Sequence, residues 1–469
     1  LYRTCTTAEA GVGMRKYLCD TDGTGGHLKT EPEDFMVTEI SDPPRAKADG
    51  DYTVATVTCR NWETNRLVRM MSRDLGVSRE AIGFAGTKDK RAVTKQLFSF
   101  KCTEEDLKKI YLADVTIEDP YRAARALQIG DLIGNEFEIR VRKCTVPESE
   151  LPGIISEDVS IIKKTGGFPN YFGVQRFGAV RPVTHLVGER IVRGDIEGAA
   201  RLYITYTTPE EDSETAEVRR SLEGCTDWKA AIKRMPPSMS FEKVVAGELI
   251  SHPDDYAGAI GALPKNLQMM FVHAYQSMLF NEMLSRRMDA GMPLNMPVEG
   301  DIVIPTDANG IPDHEQLVRV TSRNIDLVAR QVRAKRAFVT IALFGSDGIL
   351  AEGEMGEIER AVVDENKLSP EDFIVPELNK CNSKGGRREI LCPLKDLGAE
   401  THEDGYTLRF SLPKGNYATC LLREFMKSEM RDYRSDDQGE DGPCLVDPEP
   451  AVADDVVHGH ALGEPHGYG

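Results

Sequence analysis

The residues best equipped for chemistry in this chain share one loop, Gly83-Phe84-Ala85-Gly86-Thr87-Lys88-Asp89-Lys90-Arg91-Ala92-Val93-Thr94. A single carboxylate, Asp89, stands there among Lys88, Lys90 and Arg91. Cations beside a carboxylate favour its ionised form, which suits Asp89 to act as a nucleophile or base and not as a proton donor. Taken alone, the loop is equally readable as a hairpin turn with local charge pairing. Gly83…Gly86-Thr87-Lys88 lacks the GxxxxGK(S/T) spacing of a phosphate-binding loop. A glycosidase-type pairing of Asp89 with Asp34 needs one carboxyl kept protonated, which the crowd of cations opposes.

The elements that must position this loop are legible around it. The apolar runs Ala81–Ala85 and Gln96–Phe100 predict a strand, a glycine-containing turn and a second strand. The alternating Phe35, Val37 and Glu39 predict a strand after a Pro-Glu-Asp turn, and Asp51–Cys59 predicts another. A helix capped by Thr64 runs to about Leu75, with Leu67, Val68, Met71 and Leu75 on one face and Arg66, Arg69 and Arg73 on the other. A further helix is expected near Glu104–Tyr111, and a strand with period-two charges over Gly134–Arg142. Strands and helices without a regular βαβ rhythm indicate an α+β fold with a mixed or antiparallel sheet. From about Ala179 to Arg387 helical text dominates. It includes Lys265–Met288, whose methionines read as core filling, with strand-like text at Asp301–Pro305 and Ala337–Phe344. The β pattern resumes at Tyr406–Leu412, followed by Pro413–Thr419 and an apolar helix through Phe425.

The chain has 469 residues, more than one ordinary core, so two domains or a large insertion are expected. The net charge of −18 is unevenly spread. Residues 429–469 hold eleven acids against Arg431 and Arg434, a net −9, in a Pro/Gly/Asp-rich stretch that cannot bury a core. This tail is expected to be disordered, and the rest of the chain is acidic enough neither to exclude nucleic acid nor to suggest it. Ten cysteines without a CxxC pair read as free intracellular thiols, and the nine dispersed histidines suggest no metal cage. The opening Leu-Tyr-Arg-Thr-Cys shows no signal pattern, and no run approaches the roughly 18 apolar residues of a membrane span. A cytoplasmic protein is expected.

Four segments taken together resemble the TruD family of tRNA pseudouridine synthases, in its archaeal or eukaryotic style. They are Lys29–Glu39 (KTEPEDFMVTE), the Asp89 loop, Asn170–Gly178 (NYFGVQRFG) and Leu412–Glu424 (LPKGNYATCLLRE). Phe271–Arg287 and Leu350–Arg360 look like that family's insertion domain. The resemblance implies a pseudouridine-synthase-like catalytic domain with a mixed sheet, built from residues 1–178 and 388–428. Residues 179–387 would then be a large α/β insertion (TRUD) domain. It further implies a monomeric isomerase that converts uridine to pseudouridine in tRNA, at position 13, with neither cofactor nor metal. By the same resemblance Asp89 matches the nucleophile. Phe35 and Tyr417 fall at substrate-contacting aromatic positions, Asn135 at a polar substrate contact, and Lys29 at a basic position beside the aspartate. Phe137, two residues beyond Asn135 along a strand, shares its side and could stack on a base. The alternative is an RNA-binding or RNA-folding protein on the same fold that performs no chemistry. Asp89 speaks against it, because simple binding gains nothing from an anion beside phosphates.

Overall fold

In this computed structural model residues 2–178, 180–308 and 310–429 are described, and among them nine strands form one mixed sheet. In chain order these are β1 (Gly25–His27), β2 (Phe35–Ser41), β3 (Tyr52–Arg60), β4 (Ile82–Phe84), β5 (Val93–Phe100), β6 (Val115–Ala123), β7 (Leu132–Cys144), β8 (Lys395–His402) and β9 (Gly405–Pro413). Their spatial order is β8-β9-β7-β2-β5-β3-β6, with β1 added to β7 and β4 to β5. The pairing of β2 with β5 is parallel, Met36 lying beside Val93, and the other pairings are antiparallel. That parallel pair sets two strand N-termini side by side in mid-sheet. The segments leading into Phe35 and into Val93 therefore meet.

Alternation along the strands puts Phe35 and Val37, Phe137 and Ile139, and Phe410 and Leu412 on one face. The helices α1 (Thr64–Leu75), α2 (Leu151–Thr165), α3 (Lys265–Asp289) and α4 (Ala418–Met426) divide the work of covering apolar surface. Leu67, Val68 and Met71 of α1 pack on Val57, Phe98 and Phe100 as one core. Residues of α2, α3 and α4 join Phe35, Val37, Ile139 and Leu408 in a second, larger one. Register carries the same face from Val37 to Thr94 and on to Cys59, so both cores lie on one side of the sheet. Between them the face turns polar, with Glu39, Thr94, Gln96 and Asn135. This polar strip is the floor on which the Asp89 loop rests.

Beyond α2 the chain builds a mainly helical region and a four-stranded sheet ordered Val318–Arg319, Ile302–Pro305, Ala337–Leu343, Gly386–Glu389. Helix α3 is buried on almost every side and clamps the chain's N-terminal segment. Asn281 accepts from the Phe172 N–H at 2.8 Å and donates to the carbonyls of Val12 and Phe172 at 3.0 Å each, while Ser285 Oγ donates to Gly13 O at 2.6 Å. Among the described residues no helix is long and apolar enough to cross a membrane.

Two local expectations are revised. The helix near Glu104–Tyr111 is a single 3-10 turn, Asp106–Lys109. The cap of α1 is Glu63, whose carboxylate accepts from the N–H groups of Asn65 and Arg66, and Thr64 is the first helical residue. Such a cap contributes about 1 kcal/mol. Asn135 lies inside β7, with Gly134 before it pressed against β9, where an added Cβ would sit 2.2 Å from Leu412 O. The acidic stretch expected over 429–469 lies, apart from Glu429, outside the described residues.

Candidate active site

Asp89 sits in the loop that joins β4 to β5, and three ties hold this loop to the polar strip. Gln96 Nε2 donates to Gly86 O at 2.9 Å, and the Lys88 N–H donates to Thr64 Oγ1 at 3.0 Å, fastening the loop to the first turn of α1. Arg91 donates through Nε and Nη2 to the carbonyls of Lys29 and Thr30, at 2.8 and 2.6 Å. This last tie fixes the segment entering β2 to the segment entering β5, as the parallel pairing requires.

Lys88, which precedes Asp89 in sequence, does not share its surroundings. Lys88 turns into the protein, where Nζ pairs with Glu39 Oε2 at 2.9 Å, the two side chains being 5% and 0% exposed. Ser41 Oγ donates to the other Glu39 oxygen at 2.9 Å. The cation that meets Asp89 is Lys29, whose Nζ donates to Oδ1 at 2.6 Å. Lys29 is itself nearly sealed, its side chain 6% exposed, whereas the Asp89 side chain is 44% exposed. A fixed cation therefore backs a carboxylate that remains open on its other side. Lys29 reaches this position from the left-handed region, with φ +56°, a conformation unusual for a residue with a side chain. The Arg91 grip on its carbonyl stabilises that backbone.

Phe35 lies beneath this pair. Its ring is 2% exposed, and the Lys29 ammonium stands 4.4 Å from the ring centre, a cation–π contact. Phe137 meets Phe35 edge-on at 6.2 Å and stacks one face on Phe410 at 5.2 Å, which supports Phe35 from the side. Asn135 lies between Glu39 on β2 and Leu412 on β9. Its Oδ1 is buried and accepts no hydrogen bond from the described residues. A sealed acceptor without a donor is costly and uncommon. Tyr417, five residues beyond Leu412, lies edge-on to Phe172 at 6.5 Å, in the same core as Phe35 and Phe137.

The structure thus joins Asp89, Lys29, Phe35 and Phe137 by direct contact, sets Asn135 on the adjoining strand, and sets Tyr417 against Phe172. Glu39, Lys88 and Arg91 complete the loop's support, and sequence reasoning had not singled out this role for them. The signal available was Glu39 itself, a carboxylate at an inward position of the Phe35, Val37 alternation. Asp34 is held by Arg142 through two hydrogen bonds of 2.7 Å and is 2% exposed, so it offers Asp89 no partner for a two-carboxylate mechanism. Among the described residues no group of three or more His, Cys, Asp or Glu is placed to hold a metal ion.

The chain resembles known proteins along most of its length. The family described as tRNA pseudouridine synthase D (TruD) matches residues 11–425. A protein of Methanococcoides burtonii named "Probable tRNA pseudouridine synthase D" is 44% identical over 428 residues, covering 90% of this chain and 97% of its own length. One of the same name from Pyrococcus abyssi is 37% identical over 414 residues, covering 88% of this chain and 98% of its own. A crystal structure from Methanosarcina mazei, named for tRNA pseudouridine synthase D (TruD), superposes with a TM-score of 0.82 at 40% identity. It covers 91% of this chain and 100% of its own. The match extends through the Asp89 loop, the Asn170–Gly178 run and the segment that carries Tyr417, and the chain belongs to the tRNA pseudouridine synthase D (TruD) family, and with it to the isomerases.

Proposed function

We propose that this protein isomerises uridine to pseudouridine in tRNA, at position 13, with Asp89 as nucleophile. The observation that carries the reading is the pairing of a sealed Lys29 ammonium with a half-open Asp89 carboxylate, at 2.6 Å. In the reaction the N1–C1′ bond breaks and a C5–C1′ bond forms. N1 gains a proton and C5 loses one, so the nucleotide's composition is unchanged. A carboxylate that attacks the nucleotide, and is later released, holds the detached base through its rotation.

The target base must leave its stack to reach Asp89. The unmet Asn135 Oδ1 fits the N3–H of a flipped uracil or a ribose hydroxyl, each of which can donate to it. Lys29 pairs with the Asp89 carboxylate and, through its contact with Phe35, keeps a fixed direction. We assign the catalytic domain to residues 1–178 and 388–428, and to the insertion, 179–387, the other wall of the RNA cleft. Tyr417 contributes an aromatic face from beside Phe172. An RNA-binding role without chemistry gains no support from an open carboxylate in the middle of that cleft.

The reading is tested by mapping pseudouridine in an unmodified tRNA pool after incubation with the full chain, beside an Asp89→Asn control.

A further inference from the structure

Arg176 and Arg388 form a pair of buried cations that the reading above does not use. They are 5% and 8% exposed. Both lie against one ring, Phe172, with guanidinium carbons 5.4 and 4.1 Å from its centre. Arg388 donates to Asn170 O and Oδ1 at 3.3 and 2.9 Å and to Gly415 O at 3.5 Å, acceptors that carry no formal charge. Arg176 donates through Nε to Ser277 Oγ at 3.2 Å. Its two terminal nitrogens carry no hydrogen bond to the described residues. Every other buried arginine among the described residues has a carboxylate: Arg219 has Glu211 and Glu242, Arg287 has Asp301, Arg387 has Glu359 and Arg423 has Glu9. Glu389, beside Arg388 in sequence, bonds His314 at 3.1 Å and also feels the Arg388 charge, so Arg388 has a counter-charge nearby and Arg176 has none in contact.

Burying the Arg176 guanidinium without a carboxylate in contact is expensive, and the Arg388 charge on the same ring repels it as well. Burial pushes the Arg176 guanidinium below its usual value, with Tyr417 opposing and the Arg388 charge adding to the fall. An anion between the two relieves both costs. The surroundings supply further donors. Helix α4 begins at Ala418 with no side-chain cap, so its first N–H groups and its dipole face the same cluster. Thr419 of its first turn is 3.3 Å from the Gln175 amide, next to Arg176 in the chain. Gly173 lets the backbone pass close by, since an added Cβ would lie 2.8 Å from Gln175 Oε1 and 3.3 Å from Thr419 Oγ1.

We infer that Arg176, Arg388 and the N-terminus of α4 bind a phosphate of the RNA backbone, next to the nucleotide whose base faces Tyr417. This rests on the proposed function and adds where the substrate's backbone is held. Fork-shaped guanidiniums suit phosphate oxygens better than a point charge does.

The test uses the full chain, inorganic phosphate and an unmodified tRNA transcript. At constant ionic strength phosphate raises the Tm of the wild type and not that of Arg176→Met. The same variant binds tRNA about tenfold more weakly, and the slope of log K against log salt falls by about 0.7–0.9, one phosphate contact. Arg388→Lys, which keeps the charge and loses the fork, weakens tRNA binding as well and stands in if Arg176→Met does not fold. A folded Arg176→Met with wild-type affinity and salt slope overturns the inference. So does a wild type whose Tm ignores phosphate. A phosphate-dependent Tm with unchanged tRNA binding shows an anion site unrelated to RNA and overturns it too. Each of these leaves the proposed function standing as long as wild-type protein makes pseudouridine and Asp89→Asn does not.

Discussion

Lys88 and Asp89 are consecutive residues that face opposite environments: the Lys88 ammonium is sealed against Glu39 at 2.9 Å, while the Asp89 carboxylate stays 44% exposed. The buried pair anchors the loop, and the open residue is left available for chemistry. Removing one partner of the anchor strands a charge in the interior, so Glu39→Gln and Lys88→Met are each expected to lower stability by about 3–5 kcal/mol. The double variant recovers much of that loss, because neither charge is then orphaned. Chemical denaturation of the three variants checks this, and single variants as stable as wild type contradict it.

Lys29 carries a different burden. Replacing it by methionine keeps the apolar stem over Phe35 and removes the ammonium from Asp89. Turnover is expected to fall by about a hundredfold or more, while Tm changes by a few degrees at most. Single-turnover kinetics within twofold of wild type would show that the ammonium has no part in the reaction.

Asp158 is expected to give the fold a pH signature. Thr21 Oγ1 donates to its Oδ1 at 2.5 Å, but Oδ2 is buried with no partner among the described residues. Burial raises the carboxyl from 3.8 to about 6, with Thr21, Lys427 and Cys19 opposing the rise and Glu157 adding to it. The folded-state value exceeds the unfolded one, so the ionised form costs stability above about pH 6, and the cost fades as pH falls toward 4. Compared with wild type, Asp158→Asn should therefore gain stability as pH rises from 4 to 7, by up to about 3 kcal/mol whatever its offset at pH 4. His185 runs the other way: burial lowers it to about 4, so protonation of the unfolded chain erodes stability as pH falls below 6.5. The comparison is read from the difference between the two proteins' Tm values, in which the His185 contribution cancels. A difference that does not change with pH contradicts the assignment.

Gly134 is required by contact and not by backbone angle. Gly134→Ala drives a methyl into the Leu412 carbonyl and should cost about 1–3 kcal/mol by parting β7 from β9 beside Asn135. Because Asn135 and Leu412 then shift apart, turnover should fall with stability. A variant with unchanged Tm would show that the strands can spread at no cost.

What the sequence made legible follows from which residues alternate. β2, β3, β5, β7 and β9 each bury one face, so their period-two patterns stand out, and α3 is evident from its apolar spacing. β6 and β8 escaped notice because both are edge strands with interrupted text. β6 contains Asp119-Pro120 with φ +50° at Asp119 and a register break, and β8 contains Gly398 beside a bulge. A strand paired on one side tolerates such residues, and its pattern weakens accordingly. At the site, Asp89 was prominent because its loop is dense in charge. The side each neighbouring cation would take was not, since Lys88, Lys90 and Arg91 look alike until the distant Glu39 and Lys29 are brought in by the sheet. Nothing in the local text marks Arg387 and Arg388 as buried, yet Arg387 is sealed against Glu359 at 2.7 Å and Arg388 against Phe172. Burial of long cationic side chains depends on partners far along the chain, which local text does not display.

Pseudouridine mapping on unmodified tRNA with wild type and Asp89→Asn tests the central claim most directly. The account predicts modification of one uridine, at position 13, by the wild type. It predicts none by the variant, whose folding and tRNA affinity remain close to wild type because the change removes a nucleophile and leaves packing in place. Full activity in Asp89→Asn, or a wild type that binds tRNA and modifies no uridine, contradicts it.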